Sequence, residues 1–127
     1  MKRILLVCFL LTAGLTLSSV QRASAQVVVT AASFTAQVNQ MDSYIAAGNM
    51  TMAQTTFDTL NRMMKNVLAV SKHSISSAAT PADKASFMTI LNNQRTLYNT
   101  IWGLKTDLAA NRAALHAKLG EFDLTIN

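Results

Sequence analysis

Residues that interrupt helices are scarce in this chain after its first 25 positions. Proline occurs there only as Pro81, and glycine only as Gly48, Gly103 and Gly120. Folds rich in strands need frequent turns, and turns depend heavily on these two residue types. The sequence therefore favours a few long helices over strands.

The first 25 residues have the order of features that is typical of a cleavable signal peptide. Lys2 and Arg3 provide a positive start, an apolar run covers 4–17, and Ala23-Ser24-Ala25 is a small-residue cleavage site. The apolar run is about 14 residues long, short of the roughly 20 that span a bilayer. We therefore predict a signal peptide that is removed, with no stable membrane insertion afterwards.

Cleavage before Gln26 would leave a mature chain of about 102 residues, the size of one domain. Cys8 is the only cysteine and would be lost with the signal, so no disulfide can stabilise the mature fold. We expect 26–127 to form a single domain that depends on helix packing alone. The expected localisation is a bacterial periplasm, or the extracellular space.

The basic character of the chain belongs largely to its first 25 residues. The mature part keeps eight basic and six acidic residues, a net charge of +2 against +5 for the whole chain. Its basic residues are spread along the sequence, whereas nucleic-acid binding needs a clustered patch. Nucleic acid is therefore not an expected partner.

Two segments carry apolar residues at alternating intervals of three and four, the spacing of one helix face. The first runs from Ser33, its predicted N-cap, to Ala47, and Gly48-Asn49 supplies the stop. The second covers 51–74, and the short connection predicts an antiparallel pair. The predicted buried stripes are Phe34, Val38, Met41 and Ile45, then Ala53, Phe57, Leu60, Met64 and Val67.

A third helix is predicted to begin at Thr80-Pro81. Thr80 is a good N-cap, Pro81 loses no hydrogen bond at the first helical position, and Asp83 suits the positive end of the helix dipole. The same spacing continues far beyond this start. Its predicted stripe is Phe87, Ile90, Gln94, Leu97, Ile101, Leu104 and Leu108, with Leu115 and Phe122 on the same line.

The length of this third helix leaves two architectures open. Unbroken to Leu119, it would hold about 39 residues and measure about 60 Å, against about 36 Å for the second helix. Either it breaks near Gly103, or its second half overhangs the hairpin. The predicted fold class is therefore all-α, an antiparallel bundle of three or possibly four helices.

An overhang would expose apolar side chains, and such a surface needs a partner. Tyr98 and Trp102 lie four residues apart beside the stripe. They are either ordinary residues of the core or its edge or a docking patch, since aromatic residues of this kind anchor interfaces. Arg95 and Lys105 lie near them and either line a groove for an acidic partner or form an ordinary solvated face. We predict a protein partner or a homo-oligomer. The predicted interaction residues are Tyr98, Trp102, Leu108, Leu115, Leu119 and Phe122.

Residues for other chemistry are few. The chain has neither a Gly-x-Ser-x-Gly turn nor a Glu-x-x-His pair, so an enzyme is not expected. Thioether and imidazole groups suit copper, but Met50 and His73 should lie roughly 30 Å apart along one helix. No cofactor is expected, and the alternative function is a periplasmic bundle that binds a small ligand or copper. The metal candidates are Met50, Met52, His73 and His116.

Overall fold

The computed structural model describes residues 28–126, so the predicted signal peptide lies outside the described residues. Four helices pack together, which confirms the all-α prediction. They are α1 (Ala31–Ala46), α2 (Met50–Ser76), α3 (Pro81–Leu104) and α4 (Arg112–Asp123), with a 3-10 turn at Lys105–Asp107. Each helix packs on two others: α1 on α2, α2 on α3, α3 on α4, and α4 on α1.

Contacts between side chains show how the helices run. Along α2 and α3, and along α1 and α4, residue numbers rise on one helix as they fall on the other. The neighbours in each pair are therefore antiparallel. The contacts are Asn61–Tyr98 and Ser71–Gln94 between α2 and α3, and Thr35–Asp123 and Asp42–Arg112 between α1 and α4.

The start of α1 corrects one prediction. Ser33 is not the N-cap; it is the third helical residue, and Thr30 caps the helix. Thr30 Oγ1 accepts from the Ser33 backbone N at 3.0 Å, and Ser33 Oγ accepts from the Thr30 backbone N at 3.1 Å. This reciprocal box satisfies two donors at once, which explains the earlier start. The predicted stop is confirmed, because Gly48 takes the left-handed conformation at φ 76°.

Every residue of the predicted stripes of α1 and α2 is buried, and α2 buries Thr56 as well. On α3 the match is partial. Gln94, Leu97 and Ile101 are buried as predicted, but Ile90 is 39% exposed and its neighbour Leu91 is buried instead. Gln94 bonds Thr125, just beyond the end of α4. The part of α3 that precedes Gln94 therefore packs mainly on α2. Its buried side is turned toward α2, so Leu91 is buried there instead of Ile90.

The predicted third helix is two helices, because the chain reverses after Leu104. Gly103 is still helical, so the break comes just beyond it. Asn111 Nδ2 donates to the Leu104 carbonyl at 2.9 Å, and Asp107 Oδ1 accepts from the Ala110 backbone N at 3.0 Å. These bonds satisfy backbone groups that lose their partners where a helix ends.

The apolar residues after this break lie in the core, not on an overhang. Leu115, Leu119 and Phe122 are fully buried, and Leu108 is 4% exposed. Phe122 packs on Phe34 of α1, with ring centroids 5.5 Å apart. The prediction that these four residues of the α3–α4 region form an interaction surface is wrong, because their apolar area is already buried inside the bundle.

Leu119→Ala should lower the free energy of unfolding by about 2–5 kcal/mol, because it leaves a cavity where α4 meets the core. Leu124→Ala is the matched control. Leu124 is 86% exposed, so its loss should change stability by no more than about 0.5 kcal/mol. Urea denaturation measures both values. Equal, small effects would contradict the packing of α4.

One ion pair joins α4 to α1. Arg112 Nε donates to Asp42 Oδ1 at 2.7 Å, and Arg112 Nη2 donates to Asp42 Oδ2 at 2.9 Å. These hydrogen bonds hold the pKa of Asp42 below its ordinary value. Partial burial opposes the shift, and the charges of Arg112 and His116 add to it. A carboxylate whose pKa is lower in the folded state than in the unfolded state stabilises the fold when ionised.

Arg112→Gln should therefore return the pKa of Asp42 toward its ordinary value of about 3.9. In the native protein, the contribution of the pair is present above that value and is lost as pH falls through the lowered pKa. The variant should show a smaller loss of stability on acidification. NMR titration of the Asp42 carboxyl carbon measures the shift, and Lys118→Gln, which removes the Glu121 pair, is the control. An unchanged Asp42 pKa would refute the assignment.

Candidate functional site

Tyr98 and Trp102 form a stack on the outside of α3. Their ring centroids lie 6.4 Å apart. The Nζ atom of Lys105 lies over the Trp102 ring, 4.0 Å from its centroid, which is close enough for a cation–π attraction. We call Tyr98, Trp102 and Lys105 the aromatic face. The structure thus brings the two predicted aromatic residues together and adds the neighbouring cation.

Two residues of α2 contact the rings of the aromatic face. The Tyr98 hydroxyl donates to Asn61 Oδ1 at 2.8 Å. The ring of Phe57, a core residue, lies 6.3 Å from the Trp102 ring. Trp102 nevertheless stays 43% exposed. The indole is therefore held in place by contacts on two sides while much of its surface still faces solvent.

Charged residues divide between two sides of the bundle. Residues 50–105 carry six basic and two acidic side chains, a net charge of +4, whereas the other described residues carry two basic and four acidic, a net charge of −2. The basic residues are scattered along the sequence, but in the fold most of them belong to α2 and α3. The six are Arg62, Lys65, Lys72, Lys84, Arg95 and Lys105.

None of these six basic residues takes part in an ion pair among residues 28–126. The two ion pairs found among residues 28–126, Arg112–Asp42 and Lys118–Glu121, both use basic residues of α4. Five of the six basic residues on the α2–α3 side are exposed, and Lys105 is half-buried. A side with unpaired positive charge attracts acidic surfaces over several ångströms.

The metal candidates lie on two helices. Met50 and Met52 lie at the start of α2, 37% and 39% exposed. His73 lies near the end of the same helix, about 34 Å from Met50 by helical rise. His116 is exposed on α4. Within the described range, no group of three His, Cys, Asp or Glu side chains is arranged to hold a metal ion.

A groove opens at the end of the bundle where α1 begins and α4 ends, while α2 and α3 continue further. It encloses about 270 Å³ and is lined by side chains from both long helices and from the segments flanking α1 and α4. None of the lining side chains is ionisable. They are the apolar Val28, Val29, Val67, Val70, Phe87, Ile90 and Ile126, and the polar Asn66, Ser71, Ser74, Gln94 and Thr125.

A polar cluster lies in the wall of this groove. Gln94 is 1% exposed. Its Oε1 accepts from Ser71 Oγ at 2.6 Å, and its Nε2 donates to Thr125 Oγ1 at 3.1 Å. Gln94 was predicted in the buried stripe, but the groove beside it was not predicted. The groove exists because α4 ends at Asp123, and the spacing of apolar residues does not show where α4 ends.

No match was found between this chain and any protein-family model, curated protein or solved structure. Within the described part of the chain, no helix is both long enough and apolar enough to cross a membrane. Function must therefore be argued from the fold and its contacts.

Tyr98→Phe should lower the free energy of unfolding by about 0.5–1.5 kcal/mol, because Asn61 Oδ1 loses its donor in a half-buried position. Tyr44→Phe is the control. The Tyr44 hydroxyl only accepts a 3.3 Å bond from Gln40 at an exposed site, so its removal should cost less than about 0.5 kcal/mol. Thermal unfolding followed by circular dichroism compares them. A Tyr98 effect no larger than the control would show that the bond does not hold the face in place.

Proposed function

We propose that this protein is an exported, non-enzymatic interaction module that binds an acidic segment of a partner protein through the aromatic face. One observation carries the proposal. Trp102 is 43% exposed although Tyr98, Phe57 and Lys105 hold its ring in one place. Such an indole is both available to a partner and already ordered.

The order of Trp102 favours binding for an energetic reason. Association costs free energy when flexible side chains must be immobilised at the interface. A ring that is already stacked avoids most of that cost. Tryptophan and tyrosine are also the residue types that most often dominate interface energetics. A stacked pair at the surface is therefore suited to anchor a partner.

The charge of the α2–α3 side supports an acidic partner. The net charge of +4 over residues 50–105 would speed the approach of a negatively charged segment and orient it. Lys105 lies on the aromatic face itself, so an acidic group and an apolar group of the partner could bind side by side. An acidic segment that also carries apolar residues matches this surface best.

Export rests on the sequence. The positive start at Lys2-Arg3, the apolar run 4–17 and the Ala23-Ser24-Ala25 site support delivery to a bacterial periplasm or to the outside. Protein recovered from the periplasm of an expressing bacterium should therefore begin at Gln26, and its intact mass measures this. A mass that retains the first 25 residues would contradict cleavage.

A synthetic peptide of alternating Glu and Leu residues tests the binding proposal. We expect it to shift the indole N–H resonance of Trp102, the only tryptophan, and to bind more weakly as salt rises. Trp102→Ala should weaken binding about tenfold or more, the size of an interface hot spot. Met88→Ala, which removes a 47% exposed side chain from the same helix, should leave affinity unchanged.

Two results would decide against this function. Equal affinity of the two variants would show that the aromatic face is not the binding site. The oppositely charged sides also allow two copies to attract each other, so light scattering at low and high salt must accompany the titration. If a salt-sensitive oligomer dissociates on Trp102→Ala and the peptide does not bind, the partner is a second copy, and the acidic-segment proposal fails.

A further inference from the structure

We propose that the groove at the open end of the bundle binds a small neutral amphiphile, an unbranched alkyl chain of roughly ten carbons with a hydroxyl at one end. This site is separate from the aromatic face. Tyr98, Trp102 and Lys105 do not line the groove. The two proposals can therefore fail independently.

The volume of the groove limits the size of the ligand. An apolar protein cavity of about 150 Å³ holds one benzene molecule, which has six carbons. The groove encloses about 270 Å³. By proportion it accommodates roughly ten carbon atoms. Its lining on α2 runs from Asn66 to Ser74, about 12 Å of helical rise, so a linear chain can lie along it.

The apolar lining explains what would drive binding. Val70 is 61% exposed and Ile90 is 39% exposed, although both line the groove. An alkyl chain seated there would remove apolar surface from water on the protein and on itself, and each buried methylene is favourable.

The absence of charge in the lining selects a neutral ligand. All twelve lining side chains are uncharged. An ionised carboxylate or ammonium group that leaves water without an opposite charge or several hydrogen bonds pays a large cost. None of the basic residues of α2 and α3 lines the groove, so no opposite charge would meet a carboxylate inside it. Fatty acids in their ionised form and alkyl amines should therefore bind more weakly than an alcohol with the same chain.

The polar cluster supplies a place for the hydroxyl. Ser71 donates its hydrogen to Gln94, so the lone pairs of its own oxygen remain able to accept a bond. The Asn66 amide lies in the same lining and can both donate and accept. A ligand hydroxyl can donate to the Ser71 oxygen while its alkyl chain lies against the valines of the lining.

Calorimetric titration of the mature protein with 1-decanol tests the proposal. We expect one molecule to bind per chain. Decanoate at about pH 8, where its carboxylate is ionised, and decylammonium should both bind at least about tenfold more weakly. Ile90→Trp fills the groove and should weaken 1-decanol binding by roughly tenfold or more. Met88→Trp adds the same ring at an exposed position of α3 outside the lining and should leave the affinity unchanged.

Several outcomes would overturn the proposal. If 1-decanol does not bind, the groove does not take this ligand class. If decanoate or decylammonium binds as tightly as 1-decanol, the charge argument is wrong. If Ile90→Trp and Met88→Trp behave alike, binding occurs elsewhere. If the native protein is a dimer that Ile90→Trp converts to a monomer, a second copy occupies the groove instead. Circular dichroism of both variants checks that the helices are intact.

Discussion

The reversal of the chain after Leu104 is the constraint on which the rest of the structure depends. It returns α4 to the bundle, so that Leu115, Leu119 and Phe122 cover the apolar face of α1. Residues 26–127 contain no cysteine to form a cross-link, and a domain of this size buries only about two-thirds of its surface. A straight third helix would have left the Phe34 side of α1 without a partner, and α1 and α2 alone would form a marginal pair.

The same reversal determines where binding surfaces can exist. Because α4 is only 12 residues long and α1 only 16, they cover part of the 27 residues of α2 and the 24 of α3. The uncovered remainder creates the groove at one end. Because α1 and α4 pack together, the basic residues of α2 and α3 are also left on one side of the bundle, where no ion pair of the described residues includes them.

Local signals in the sequence predicted local structure well. The stripe from Ala53 to Val67 and the Thr80-Pro81 cap depend on neighbours within one or two turns, and both are confirmed. The position of the break depends on Asn111 Nδ2, which donates to the Leu104 carbonyl seven residues earlier. This bond belongs to the loop, and the spacing of apolar residues does not encode it. The burial of Ile90 was predicted wrongly for a similar reason. Covering it would require α1 and α4 to extend further along α3 than they do. At the site, Tyr98 and Trp102 were found by spacing, but their exposure and the charge division required the fold.

The two proposed sites use opposite ends of one hairpin, and their physical settings differ in a way that suits their roles. The aromatic face lies where all four helices are present, with Phe57 and Asn61 fixing its rings, so a partner meets a surface that is already ordered. The groove lies where only two helices remain and apolar side chains are half-covered. Regions with fewer buried contacts open at lower free energy than the rest of a domain. A groove in such a region can adjust its width to a flexible alkyl chain without disturbing the packed end that holds Trp102.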